Sequence, residues 1–148
     1  MEYSCLVTNF RYGATIRLPS ILIPANKSIR SNKGDWFTVI DTGADTSAFT
    51  KEYLMKNGYG KFTAGRDKQT AIGLIKIRSC KINGLLLANQ FPFAEMDVDV
   101  LEGWNSNKVV GVIGMDILSQ MTFVISHEFQ KFLLTNEKLS EISKIINR

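Results

Sequence analysis

The chain is poor in cysteine and histidine and has no long apolar run. Of its 148 residues only two are cysteines, Cys5 and Cys80, and their placement matches no disulfide framework. With nothing to suggest export, both are expected as free thiols in a reducing compartment, although the residues alone leave a bridge between them open. Neither has a histidine nearby in the sequence, which argues against a cysteine nucleophile. His127 is the sole histidine. Beside Glu128 in a turn, it is expected at the surface rather than as a base or ligand. No cluster has metal-ligand spacing, so no metal and no cofactor are expected. No stretch approaches the roughly 20 apolar residues that span a bilayer. Met1-Glu2-Tyr3-Ser4-Cys5 lacks the basic start and apolar block of a secretory signal. These absences point to a cytoplasmic chain with no membrane span.

What is present fits one globular domain: 45% hydrophobic and 22% charged residues, in a chain long enough to bury most of a core without covalent staples. The net charge of +4 is unevenly placed. Residues 1–34 carry five bases against one acid, and 51–81 carry eight bases against two acids. Glu95, Asp97, Asp99 and Glu102 crowd the next span. Such runs are expected as solvated faces. A nucleic-acid role is not expected, because the bases are not interleaved with exposed aromatics in a recognisable module.

The most informative stretch is Trp36-Phe37-Thr38-Val39-Ile40-Asp41-Thr42-Gly43-Ala44-Asp45. Five residues of high β propensity form a buried strand that runs straight into an acid. A buried carboxylate is costly unless something stabilises or protonates it, so its retention points to chemistry. Gly43, without a Cβ, lets another chain approach its backbone closely. Alone, Asp-Thr-Gly reads more readily as an ordinary Asx turn. A second pattern, Val109-Val110-Gly111-Val112-Ile113-Gly114-Met115-Asp116-Ile117-Leu118, reads alone as a buried strand, a glycine turn and a helix start.

Together, in this order, the two patterns resemble the active-site loop and supporting segment of retropepsin-like aspartic proteases, in a bacterial or cellular branch. The resemblance implies a mainly β, retropepsin-like acid protease fold: a closed, barrel-like half with a flap hairpin, one short internal helix and a C-terminal helix. It also implies that Val112-Ile113-Gly114 with Ile117 to Met121 crosses behind the catalytic loop. The family's chemistry needs two carboxylates, and only one Asp-Thr-Gly is present. A homodimer cutting a peptide or protein substrate is therefore implied. Asp41 and its copy would activate water. Thr42 would hold the paired loops, and Gly43, Ala44 and Asp45 would bind the peptide backbone. Ile72 and Gly73 would lie over the substrate, with Val112 and Ile113 walling the pockets. One departure stands out: where retroviral enzymes have Arg after the helix-start glycine, this chain has Met115 and then Asp116. Asp45 thus lacks its expected partner.

The remaining chain supplies further expectations. Leu6–Phe10 and Ala14–Leu18 predict strands, with Pro19 and Pro24 interrupting the next stretch and Ile21–Ile23 as another short strand. Ala25–Gly34 predicts a loop. Residues 1–34 form a lead-in longer than the retroviral one, 35–135 the core, and 136–148 an amphipathic terminal helix. Thr50 predicts an N-cap for a helix over Lys51–Lys56, closed by Asn57-Gly58. Thr63–Ser79 is the candidate flap, bent near Gly73, and its basic character points to acidic peptides. Asn83-Gly84 predicts a two-residue turn pairing Ser79–Ile82 with Leu85–Leu87. Phe91–Ala94 predicts an edge strand around Pro92, Glu95–Lys108 a long acidic loop containing Trp104, and Met121–Ser126 and Lys131–Thr135 two final strands. Two alternatives accompany the protease reading: a catalytically silent dimerisation or peptide-binding module, and a latent enzyme freed by N-terminal trimming.

Overall fold

The computed structural model describes residues 5–10, 15–29, 36–103 and 108–136. The terminal helix expected beyond Asn136 and the loop residue Trp104 lie outside them, as does part of the loop expected over Ala25–Gly34.

Strand β1 (Cys5–Asn9) pairs antiparallel with β13 (Lys131–Thr135), which pairs in turn with β12 (Thr122–Ser126). The first described strand is thereby tied to the last one. Strand β2 (Arg17–Leu22) begins later and runs further than expected. Pro19 lies inside it, at the point where the strand leaves one neighbour for another. Arg17 to Pro19 pair with β3 (Phe37–Ile40), whereas Ser20 to Leu22 pair with β8 (Leu85–Leu87). Proline has no N–H, so at this crossover no ladder bond is lost. Leu18 and Leu22 are 2% and 0% exposed. Cutting the chain near residue 34 would thus remove a core strand, which counts against a detachable pro-segment.

Next come β4 (Ala48–Thr50) and α1 (Lys51–Lys56). The Tyr53 N–H donates to Thr50 Oγ1 at 3.3 Å, and Asn57 closes the helix, as its cap residues predict. Strands β5 (Arg66–Thr70) and β6 (Gly73–Ile77) form a separate two-stranded hairpin with Ala71-Ile72 at its tip. Ile72 is 90% exposed.

The main sheet has eight strands in the order β7-β10-β4-β11-β3-β2-β8-β9, with β7 spanning Ser79–Ile82, β9 Phe91–Phe93, β10 Met96–Leu101 and β11 Val109–Ile113. Two expectations fail here. Strands β7 and β8 do not pair across Asn83-Gly84; they stand at distant places in the sheet. The Asn83 N–H is taken by Tyr59 Oη at 3.0 Å, and the Gly84 carbonyl accepts from the Ile23 N–H at 2.9 Å. Gly84 has φ 145° and Asn83 does not have positive φ, so the turn that would fold the chain back is absent. The second failure is the acidic loop: Met96–Leu101 is a strand, parallel to β4 and antiparallel to β7. Hydrogen-bonded on both sides, it buries Val98, Asp99 and Val100. Its alternation of Met96, Val98 and Val100 was visible, but the intervening acids masked it. Pro92 sits in edge strand β9, as expected.

The core gathers Phe49, Leu54, Leu22, Phe91, Ile113, Ile117 and Phe132, among others. Each such fully buried side chain contributes about 1.5–3 kcal/mol relative to exposure. Cys80 is a buried free thiol.

Candidate active site

Thr38 is a polar residue at 0% exposure within the apolar strand β3. Its hydroxyl donates to the Leu18 carbonyl at 3.1 Å and therefore accepts from Ser20 Oγ at 2.6 Å. This buried pair fastens β3 to β2 just before the strand delivers Asp41.

The Asp41 N–H donates to the Ile113 carbonyl at 3.0 Å, carrying the parallel β3–β11 pairing one residue past the strand. The chain then turns. Asp41 Oδ1 accepts the Gly43 N–H at 2.9 Å, and the Asp41 carbonyl accepts the Ala44 N–H at 3.2 Å. A Cβ on Gly43 would stand 3.3 Å from Asp41 Oδ1, a tight contact that the carboxylate would have to relieve by a few tenths of an ångström. The glycine leaves room for the carboxylate to fold back onto its own loop.

The second pattern holds this loop from behind, as its resemblance implies. Strand β11 lies between β3 and β4, the two strands that flank the loop. Helix α2 (Met115–Leu118) starts two residues ahead of Ile117. Its first N–H groups, left without intrahelical partners, are turned onto the loop: Met115 N–H donates to the Ala44 carbonyl at 2.7 Å and Asp116 N–H to the Asp45 carbonyl at 3.1 Å. A Cβ at Gly114 would meet the Ala44 carbonyl oxygen at 2.6 Å, so only glycine permits this approach.

Ser47 and Asp116 complete the support, and neither role was recognised in the sequence. Ser47, 0% exposed, donates its hydroxyl to Asp116 Oδ1 at 2.7 Å and its N–H to Oδ2 at 2.9 Å. The same hydroxyl accepts the Gly114 N–H at 2.9 Å. Asp116 also accepts the Ile117 N–H at 2.9 Å. The unexpected acid after Met115 is thus a brace for the far side of the loop. Among the described residues no arginine or lysine pairs with Asp45.

Placed on this frame, the predicted site residues separate into groups. Asp41, Thr42, Gly43 and Asp45 are exposed in the single chain and Ala44 is half-buried. Asp41 was expected in a buried setting, but among the described residues nothing covers the end of β3. The Thr42 hydroxyl has no partner among the described residues. Ile72 and Gly73 lie at the hairpin tip. Val112 is half-buried, whereas Ile113 is 0% exposed and packs in the core beneath the loop. A surface cavity of about 630 Å³, bordered by Asn9, Ile16, Arg17 and Glu128, holds none of these residues.

Electrostatics add detail to two further expectations. The basic hairpin and the acidic span are mostly solvent-exposed, as expected, but they also pair: Arg66 and Lys68 with the buried Asp99, Arg78 and Lys51 with Glu102, and Lys81 with Glu95. Part of the positive charge that pointed to acidic peptides is thus paired within the chain. Burial, with the Asp97 charge adding to it, pushes the Cys80 thiol up, which disfavours a thiolate nucleophile. No cluster of three or more metal-ligating side chains occurs among the described residues. No helix among them is long and apolar enough to cross a membrane.

An acid on a glycine loop, strand β11 threaded between the loop's flanking strands, and a short helix whose first amides grip the loop define the retropepsin-like fold. The chain is similar to the crystal structure of a retropepsin-like aspartic protease from Rickettsia conorii, with a TM-score of 0.66 and 20% identity over 90% of this chain and 92% of that one. It also matches EIAV protease complexed with the inhibitor HBY-793, with a TM-score of 0.48 and 18% identity over 76% of this chain and 92% of that one. No family model matches the sequence, and no curated protein does. The fold is therefore retropepsin-like, recognised through structure where sequence comparison is silent.

Proposed function

We propose that the protein is an aspartic endopeptidase, active as a homodimer of single-domain protomers. The observation that carries this reading is Asp41: an exposed carboxylate on a loop held from behind at Ala44, Asp45 and Ser47. Rigid support beneath an uncovered acid is what a site shared between two copies requires. A two-fold axis beside the loop would bring the second Asp41 into reach. Two carboxylates so close cannot both ionise cheaply, so they share one proton, the general behaviour of aspartic-protease dyads.

The steps follow from that shared proton. The ionised carboxylate takes a proton from a bound water as its oxygen attacks the scissile carbonyl carbon, while the protonated carboxyl donates to the carbonyl oxygen. The resulting gem-diol collapses, the C–N bond breaks, and a proton passes to the leaving amine. Gly43, Ala44 and Asp45 would contact the peptide backbone, and Thr42 would bond across to the partner's loop. The β5–β6 hairpin, as the flap, would bring Ile72 and Gly73 over the substrate, with Val112 at the pocket wall. Ile113, which is fully buried, would support the loop from below. No metal or cofactor takes part in this scheme. The buried free thiol of Cys80 is in keeping with a cytoplasmic enzyme.

The test is Asp41→Asn, assayed on a mixed peptide library across acidic to neutral pH with the mass in solution measured by light scattering. Cleavage should fall about a thousandfold or more while the dimer and its thermal stability persist. Turnover at the parent rate would defeat the assignment.

A further inference from the structure

The two oppositely charged spans of the chain meet at one buried carboxylate. Asp99 is 1% exposed. Its backbone is fixed from both sides, opposite Ala48 of β4 and Ser79 of β7, and its N–H donates to the Ser47 carbonyl at 2.9 Å. The carboxylate accepts from Arg66 Nη2 on Oδ1 at 2.9 Å and from Lys68 Nζ on Oδ2 at 2.6 Å. Arg66 and Lys68 are alternate residues of β5 and so project from the same face of the hairpin.

The hairpin has its own two-stranded sheet and is clamped to the body at its base. There Thr63 N–H donates to the Ser79 carbonyl, Ser79 N–H donates to Thr63 Oγ1, and the two hydroxyls meet, each at 2.9 Å. A ribbon held at one end can tilt. A second attachment further out along the arm removes that freedom. We infer that Asp99 is a positioning residue that sets the angle of the β5–β6 hairpin against the main sheet, acting through Arg66 and Lys68. That the hairpin then closes correctly on substrate rests on the proteolytic reading above; the anchoring itself does not.

The charges explain why the attachment holds. A carboxylate withdrawn from water needs charged or hydrogen-bonding partners, and here each oxygen has its own cation. The cations have an alternative, because the Arg66 and Lys68 side chains remain 53% and 24% exposed. Neutralising Asp99 therefore releases the hairpin, with both cations returning to water. Removing both cations does the opposite and strands a buried charge, which threatens the whole sheet. Asp99→Asn is accordingly the informative change.

Backbone-amide relaxation dispersion in full-length Asp41→Asn protein, which removes self-cleavage, reads the anchor independently of catalysis. Adding Asp99→Asn should produce microsecond-to-millisecond exchange across residues 66–77 with α1, β12 and β13 unchanged. Unaltered hairpin relaxation, or broadening spread evenly over the sheet, overturns the inference. Lys68→Gln, which leaves Arg66 in place, should give the same hairpin-specific exchange more weakly, and it decides the matter if Asp99→Asn does not fold. In the active chain, Asp99→Asn should raise KM about five- to tenfold with kcat within about twofold; a fall in kcat at constant KM overturns the positioning role. Cleavage surviving in the Asp41→Asn parent would defeat the proteolytic reading and leave the relaxation result standing.

Discussion

Ser47→Ala isolates the brace under the Asp41 loop. The hydroxyl removed is buried and makes two bonds, donating to Asp116 Oδ1 and accepting from the Gly114 N–H. A hydrogen bond to a charged group contributes about 1.5–3 kcal/mol, and a buried N–H left without an acceptor costs about 1–3 kcal/mol. The two effects overlap, because Asp116 keeps its bonds from the Ser47 and Ile117 amides. The combined loss should be on the order of 3 kcal/mol. For a chain of this size each kcal/mol moves the midpoint about 2–4 °C, so Tm should fall by roughly 6–12 °C. Thermal unfolding followed by circular dichroism at matched protein concentration measures it, since a dimer's midpoint depends on concentration. Ser28→Ala provides the comparison: that exposed hydroxyl bonds, among the described residues, only its near neighbour Asn26 and should change stability by less than about 0.5 kcal/mol. A Ser47→Ala midpoint indistinguishable from that of Ser28→Ala would refute the brace.

Two other outcomes rest on packing and titration. Gly111→Ala would place a Cβ 2.4 Å from the Ala48 carbonyl oxygen and 2.7 Å from Phe49 Cδ1, so it should cost about 3 kcal/mol or more in urea unfolding. Gly60→Ala, with nothing within 4 Å, should change little. Because burial raises the Cys80 thiol above its ordinary 9.0, the protonated form is favoured by folding. Stability from this group is full below the unfolded value and declines as pH rises toward the folded one. Alkylation of Cys80, followed by peptide mass mapping, should be much slower in native than in urea-unfolded protein at mildly alkaline pH. Equal rates would contradict the buried, protonated thiol.

Features governed by near neighbours could be read directly from the residues. Thr50 caps α1 through a hydroxyl three residues from its donor, Asn57 closes the same helix, and the apolar run into Asp41 forms β3, because each depends on backbone geometry within a turn or a strand. The paired patterns at Asp41 and Gly114 also carried the fold class through the family resemblance they bear together, and the close approach of the Ala44 carbonyl to Gly114 gives the physical reason for that glycine. What escaped the sequence depended on distant partners. Asn83-Gly84 has the composition of a hairpin turn, but Tyr59 and Ile23 take its backbone groups and send the strands apart. Asp99 looks like a loop acid until Arg66 and Lys68 reach it and allow Met96–Leu101 to be buried as a strand. Pro19 reads as a break, yet it falls where its strand changes neighbours and needs no N–H. The exposure of Asp41 was likewise beyond local reasoning, because it depends on which surfaces one chain leaves uncovered. Short-range preferences set the elements, while hydrogen-bond and charge partners far along the chain set their neighbours, their burial and the support beneath the acid.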